Sequence, residues 1–209
     1  MEDERRGWRL RIDASEALIE FVSIVLAIVL ATAVNEWRQD AQTKKDTRAA
    51  LVAIRQEIET NRAVLEPRLR HHAAVSAAFG ALQDRSNRVH FASFDQFWNT
   101  WRSADPNGFG PFAGASTSWD VAQSTGLLRN VDFGTLRVLV ISYGLQGRVN
   151  LYVDRLIADL HFVPVDGNNA YYAVSGLNID LGDLTSNERA LLETYRKALD
   201  ALDRAGVHD

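Results

Sequence analysis

Two hydrophobic rhythms divide the chain. From Ala17 to Val34 there are 18 residues with a single charge, Glu20, and the apolar positions point in every direction a helix offers. Beyond Trp37 the apolar residues thin to a one-sided three-four spacing: Leu51, Ile54, Ile58, Leu65, Val75, Phe79 and Leu82, a row that also passes through Asn61, Arg68 and His72. The first rhythm predicts a helix surrounded by apolar material, and the second a long helix that buries one seam.

The apolar run, Glu20-Phe-Val-Ser-Ile-Val-Leu-Ala-Ile-Val-Leu-Ala-Thr-Ala-Val-Asn-Glu-Trp37, admits three readings: a membrane anchor, a cleaved signal peptide or a buried soluble helix. At about 1.5 Å per residue, 18 helical residues span roughly 27 Å, close to the thickness of a hydrocarbon core. Trp8 and Trp37 are 29 positions apart, roughly 43 Å along a helix, which suits two interfacial anchors. Ala31-Thr-Ala33 fits the small-x-small pattern of signal cleavage. The leader before it, however, is long and carries six acidic residues among its arginines, so a retained anchor is the preferred reading. Ser23, Ala27 and Ala31 recur every fourth position, and Asn35 continues the row. Such a narrow face lets membrane helices approach closely. Arg5, Arg6, Arg9 and Arg11 precede the span and Arg38, Lys44, Lys45 and Arg48 follow it, a tie by positive-inside counting. The short four-arginine tail favours a cytoplasmic amino terminus and a periplasmic body.

The remaining pattern predicts further helices. Pro67 should kink or end the first long helix near Glu66, with a second reaching about Asp84. Ser93 and Gln96 form a capping box for a short helix with Phe94, Phe97, Trp98 and Trp101 on its apolar face. Asp105 to Gly114 reads as a loop, and Thr117 with Asp120 caps a brief helix that Gly126 ends. Asp132 caps a long helix with Leu136, Leu139, Tyr143, Leu145, Val149, Tyr152, Leu156 and Leu160 as its stripe, stopped by Pro164; Gly144 and Gly147 would allow close contact or a bend. Asp166 to Asn169 reads as a turn, and short extended pieces fit Tyr171 to Ile179. Thr185 and Glu188 then form a capping box for a last helix with Leu191, Leu192, Tyr195, Leu199 and Leu202 buried and Gly206 at its end. The expected architecture is mainly α: a short tail (1–16), a transmembrane anchor (17–37) and a bundle-like extramembrane domain (38–209).

Composition narrows the function. A net charge of -4 from 23 basic and 27 acidic residues, without a block of one sign, argues against nucleic acid as a partner. Zero cysteines remove disulfides, thiolate metal sites and a cysteine nucleophile. His71 and His72 point about 100° apart on a helix and cannot share one metal; the simplest expectation puts one in the seam and one in solvent. Gly108-Phe-Gly-Pro-Phe-Ala-Gly114 lacks the strand and the Lys-Ser/Thr of a phosphate loop. Asp154, Arg155 and Asp159 read as a solvated face. No catalytic, cofactor or metal residues emerge, so neither an enzyme nor a cofactor is expected. The aromatic set Phe97, Trp98, Trp101, Phe109, Phe112 and Trp119 fits core packing or, alternatively, a groove for a partner or ligand, with Arg102 or Arg129 at its rim.

Four stretches are familiar together: Asn35-Glu-Trp37-Arg after the apolar span, Ala53-Ile-Arg-Gln-Glu-Ile-Glu-Thr-Asn-Arg62, Ser118-Trp119-Asp-Val-Ala-Gln-Ser-Thr-Gly126-Leu-Leu-Arg129, and a Leu-Arg-x-Leu helix with Tyr143. Over roughly residues 15 to 155 the chain resembles a widespread group of uncharacterised bacterial single-pass inner-membrane proteins. The resemblance implies an inner-membrane anchor and a helical body, with the Trp119 to Arg129 cassette in a packing role, and it implies no substrate. The expected partners are the bilayer and either a protein partner or a second copy, joined through the transmembrane helix. A membrane-tethered interaction or scaffold subunit is the first functional expectation, and a tethered ligand-binding or sensor domain using residues 94–119 is the alternative.

Overall fold

The computed structural model describes residues 14–86, 94–106, 108, 110–162 and 170–208. Trp8, Ser93, Phe109 and the turn at 166–169 lie outside them. The described residues are mainly helical, without a strand. Five α-helices follow one another: α1 (Ala14–Ser86), α2 (Phe94–Ala104), α3 (Thr117–Ser124), α4 (Phe133–Phe162) and α5 (Ala170–Arg204), with a 3-10 turn at Leu127–Asn130 between α3 and α4. The chain forms two compact units, Met1–Asp46 and Thr47–Asp209.

In the first unit every described side chain from 18 to 45 is exposed. An 18-residue window of α1 near the amino terminus reaches a mean hydropathy of 2.3 with none of it buried. This helix is long and apolar enough to cross a membrane.

The second unit is built on three heptad seams. On α1, Leu51, Ile54, Ile58, Asn61, Leu65, His72, Val75 and Phe79 are all buried, while Arg68 is half-buried. On α4 the buried row is Thr135, Leu139, Ser142, Gln146, Val149, Val153 and Leu156; on α5 it is Leu177, Leu181, Leu184, Glu188, Leu191, Tyr195, Ala198 and Leu202. The three-four alternation keeps each row facing its neighbours, as in helical bundles.

Cross-helix hydrogen bonds fix the directions. Thr47 donates to the Leu127 carbonyl, Tyr143 donates to Glu57, and Asn61 donates to Gln146, so α4 ascends with α1. Ser142 donates to the Thr194 carbonyl and Tyr152 to Asp180 and Asp183, so α5 descends. Because α1 and α4 are parallel, the chain between them must travel back along the bundle. It does so in register: Trp101 meets Phe79, Asp105 meets His71, Ala115 meets Asn61, Ser118 meets Glu57 and Leu127 meets Thr47. Residues 94–130 therefore act as a fourth, partly non-helical rod in an up-down-up-down bundle.

Several expectations change. α1 runs through Pro67 without ending. The missing N–H frees the Ala63 carbonyl, and both residues are exposed, so water can satisfy it. Ser116, not Thr117, is the N-cap of α3. The segment Tyr171 to Ile179 is helical rather than extended, and α5 continues unbroken through the Thr185-x-x-Glu188 box. There the Thr185 hydroxyl donates back to the Gly182 carbonyl and Glu188 turns inward; seam packing overrides a local start signal and two helical glycines. Gly144 and Gly147 are exposed, with open space where a side chain would sit, so they mediate no close contact. Asp132 caps α4 as expected, its Oδ1 accepting the Thr135 N–H at 2.9 Å. α5 closes with a Schellman arrangement: Gly206 has φ 73°, its N–H reaches the Asp203 carbonyl, and the N–H of buried Val207 reaches Leu202.

Candidate functional site

Two regions carry chemistry that packing alone does not explain. The first is the apolar part of α1. Large side chains face outward on all sides, among them Phe21, Leu26, Ile28 and Leu30, and Trp37 is 72% exposed. Its two hydroxyls are turned inward: Ser23 donates to the Ile19 carbonyl at 2.8 Å and Thr32 to Ile28 at 2.9 Å. Hydroxyls satisfied within the helix impose little cost in hydrocarbon, where no water can serve them. Ser23, Ala27, Ala31 and Asn35 lie along one exposed row.

The second region is a ladder of polar groups inside the bundle. Asn61 brackets Ala115: its Nδ2 donates to the Ala115 carbonyl at 2.8 Å and its Oδ1 accepts the Ala115 N–H at 2.9 Å. Gln146 donates to the same carbonyl at 3.0 Å and accepts from the Tyr195 hydroxyl. This layer joins α1, the returning segment, α4 and α5. It exists because residues 110–116 are not helical, so the backbone groups of Ala115 take side-chain partners instead. Gly114 sits against it, and a Cβ there would come within 2.7 Å of Gln146 Cδ.

One step along α1, Glu57 accepts the N–H of Ser118 at 2.8 Å and of Trp119 at 3.5 Å, together with the Tyr143 hydroxyl at 2.7 Å. A carboxylate from a different helix thus serves the amino terminus of α3, where orphan N–H groups and the helix dipole favour negative charge. Burial, then hydrogen bonding to Glu57, pushes the Tyr143 hydroxyl well above its ordinary pKa, so it stays a donor. Burial likewise raises Tyr195. Trp119 stacks on Tyr143 at 4.9 Å.

Further along, His72 and Glu188 are both fully buried, with Nδ1 at 2.8 and 3.0 Å from the two carboxylate oxygens. His71 is not in solvent: its Nε2 lies 3.0 Å from Oδ1 of fully buried Asp105. That approach is off-line for a hydrogen bond, which leaves both Asp105 oxygens without one. The two adjacent histidines therefore serve two different carboxylates. Among the described residues no group of three or more His, Cys, Asp or Glu side chains is placed to hold a metal.

The aromatic residues are divided. Phe97, Trp101, Phe112 and Trp119 are core side chains. Trp98 is half-buried, with Arg102 5.8 Å over its ring. Asp154 and Arg155 are exposed. A surface groove of about 740 Å³ between α1 and α5 is lined by Arg62, Glu66, Arg189, Glu193 and Arg196. Arg196 donates to Glu193 at 2.8 Å, which holds that carboxyl below its usual range. Its mixed charges select no ligand class.

Sequence reasoning found the seam and missed its partners. Asn61 and His72 were visible as polar interruptions at seam positions, a signal that something polar must face them. Gln146 and Glu188 carried a weaker form of the same signal, because each falls on the buried row of its helix. Asp105 carried none, since it lies in a loop. Scans against protein-family models and searches of curated proteins and solved structures find no match to this chain.

Proposed function

We propose that the chain is a membrane-anchored, non-enzymatic interaction or scaffold subunit that works in a larger membrane complex or as a homo-oligomer. The observation that carries this reading is the apolar stretch from Leu18 to Val34, which has no burial partner among the described residues. A helix apolar on all faces needs hydrocarbon or another protein around it. The reading places the span in a bacterial inner membrane, with the four-arginine tail inside and the bundle in the periplasm. The row Ser23, Ala27, Ala31 and Asn35 is the packing face for a partner helix, and Trp37 sits at the interface.

The ligand-sensor alternative is set aside because four of its groove residues fill the core. The experiment is crosslinking of the intact protein in mild detergent, with the Ala27→Leu, Ala31→Leu variant alongside. The proposal expects a discrete complex that the double substitution dissolves. Complexes unchanged by it refute the intramembrane part, and a lone monomer refutes the scaffold.

A further inference from the structure

One end of the bundle carries a surface unlike the rest. Thr47 and Arg48 enter the second unit there, hydrogen-bonded to the carbonyls of Leu127 and Gly206. Beside them a groove of about 620 Å³ lies between the start of α4 and the end of α5, lined by Phe133, Arg137, Ile141 and Arg204. Phe133 is 79% exposed and Ile141 45%. Arg129, Arg137 and Arg204 are exposed and make no ion pair among the described residues. Of the acidic groups nearby, Asp132 caps α4 and Asp203 pairs with Arg55, while Asp200 is exposed four positions before Arg204.

We infer that this end is a membrane-docking surface, with Phe133 and Ile141 inserted at the lipid interface and Arg129, Arg137 and Arg204 on anionic headgroup phosphates. The inference rests on the membrane-anchor reading. Only ten positions separate Trp37 from Thr47, so even a fully extended connection holds this end within about 35 Å of the interface. An exposed aromatic ring flanked by unpaired arginines matches the chemistry of that zone, where apolar insertion and attraction to anionic lipid act together. A protein partner would also cover apolar groups. The tether and the unpaired arginines favour the bilayer.

The cysteine-free chain permits a direct test. Single variants Phe133→Cys, Val29→Cys and Ser186→Cys of the full-length protein are spin-labelled in vesicles containing phosphatidylglycerol. Accessibility to oxygen and to a water-soluble nickel chelate is then measured. Ser186 is exposed and 18 residues before Arg204 on α5, roughly 27 Å away along the helix, so it reports the undocked surface. The expected result is an oxygen-favoured label at 133 with a chelate-favoured label at 186. Adding Arg137→Glu and Arg204→Glu should return position 133 several-fold toward the aqueous value. A label at 133 matching that at 186, while that at 29 is oxygen-favoured, overturns docking and leaves the anchor standing. A label at 29 that favours the chelate overturns the anchor itself. A label at 133 shielded from both reagents means a protein covers the groove and also overturns the inference.

Discussion

The two halves of α1 share a backbone and differ in what surrounds them. From 18 to 34 the apolar side chains point outward in all directions and the hydroxyls fold back on the helix. From 47 to 79 only one seam is apolar, and its polar members Thr47, Asn61 and His72 each find a partner across the bundle. The first half satisfies its own hydroxyls and is not buried by any described residue. The second half recruits a non-helical segment by supplying the hydrogen bonds that segment lacks. Helical propensity therefore decides little here; the placement of polar atoms separates an all-round apolar surface from one that packs on protein.

Substitutions should break this contrast to graded extents. Glu188→Ala leaves His72 buried without its carboxylate and should cost about 3–5 kcal/mol, read from urea unfolding in mild detergent by tryptophan fluorescence. Ile58→Ala should cost about 2–5 kcal/mol in the same assay, since the seam cannot collapse fully around the cavity. Leu26→Ala removes as much carbon from the other half of α1, yet should leave that transition where it was; a comparable shift would mean that the apolar half packs on the bundle. Asn61→Leu strands the N–H of Ala115, while the carbonyl keeps its bond from Gln146, at about 1–3 kcal/mol for the unsatisfied group. Asp132→Ala should give the smallest loss. Its carboxyl is held below the usual range by the hydrogen bonds from Thr135, so its stabilisation is complete above the ordinary carboxylate pKa and fades as pH falls through the lowered value. A pH scan in which wild type and Asp132→Ala differ only at neutral pH, and converge in acid, would show that sign.

Much of this architecture was legible in the sequence. The α1 seam, the Asp132 cap, the Gly126 stop and the Gly206 terminus follow from spacing and local chemistry, and the structure keeps all four. The failures came where tertiary contacts outvoted local signals. α1 continues through Pro67, where the residue left without its N–H partner, Ala63, is exposed to water. The Thr185-x-x-Glu188 box looks like a start, but Glu188 is claimed by His72 on another helix. The cap of α3 was unreadable because its carboxylate, Glu57, lies about 60 residues upstream. As for the candidate site, the apolar stretch was plain from hydropathy, whereas the Phe133 groove forms only when α4 and α5 meet.

The central claim is that the stretch from Leu18 to Val34 lives in a membrane and stays there. Alkaline carbonate extraction of membranes from cells expressing the full chain, followed by amino-terminal sequencing of the protein, tests it most directly. The account predicts that the protein remains in the membrane pellet with its amino terminus uncut. A carbonate-soluble protein, or one whose sequence begins after Ala33, would contradict it.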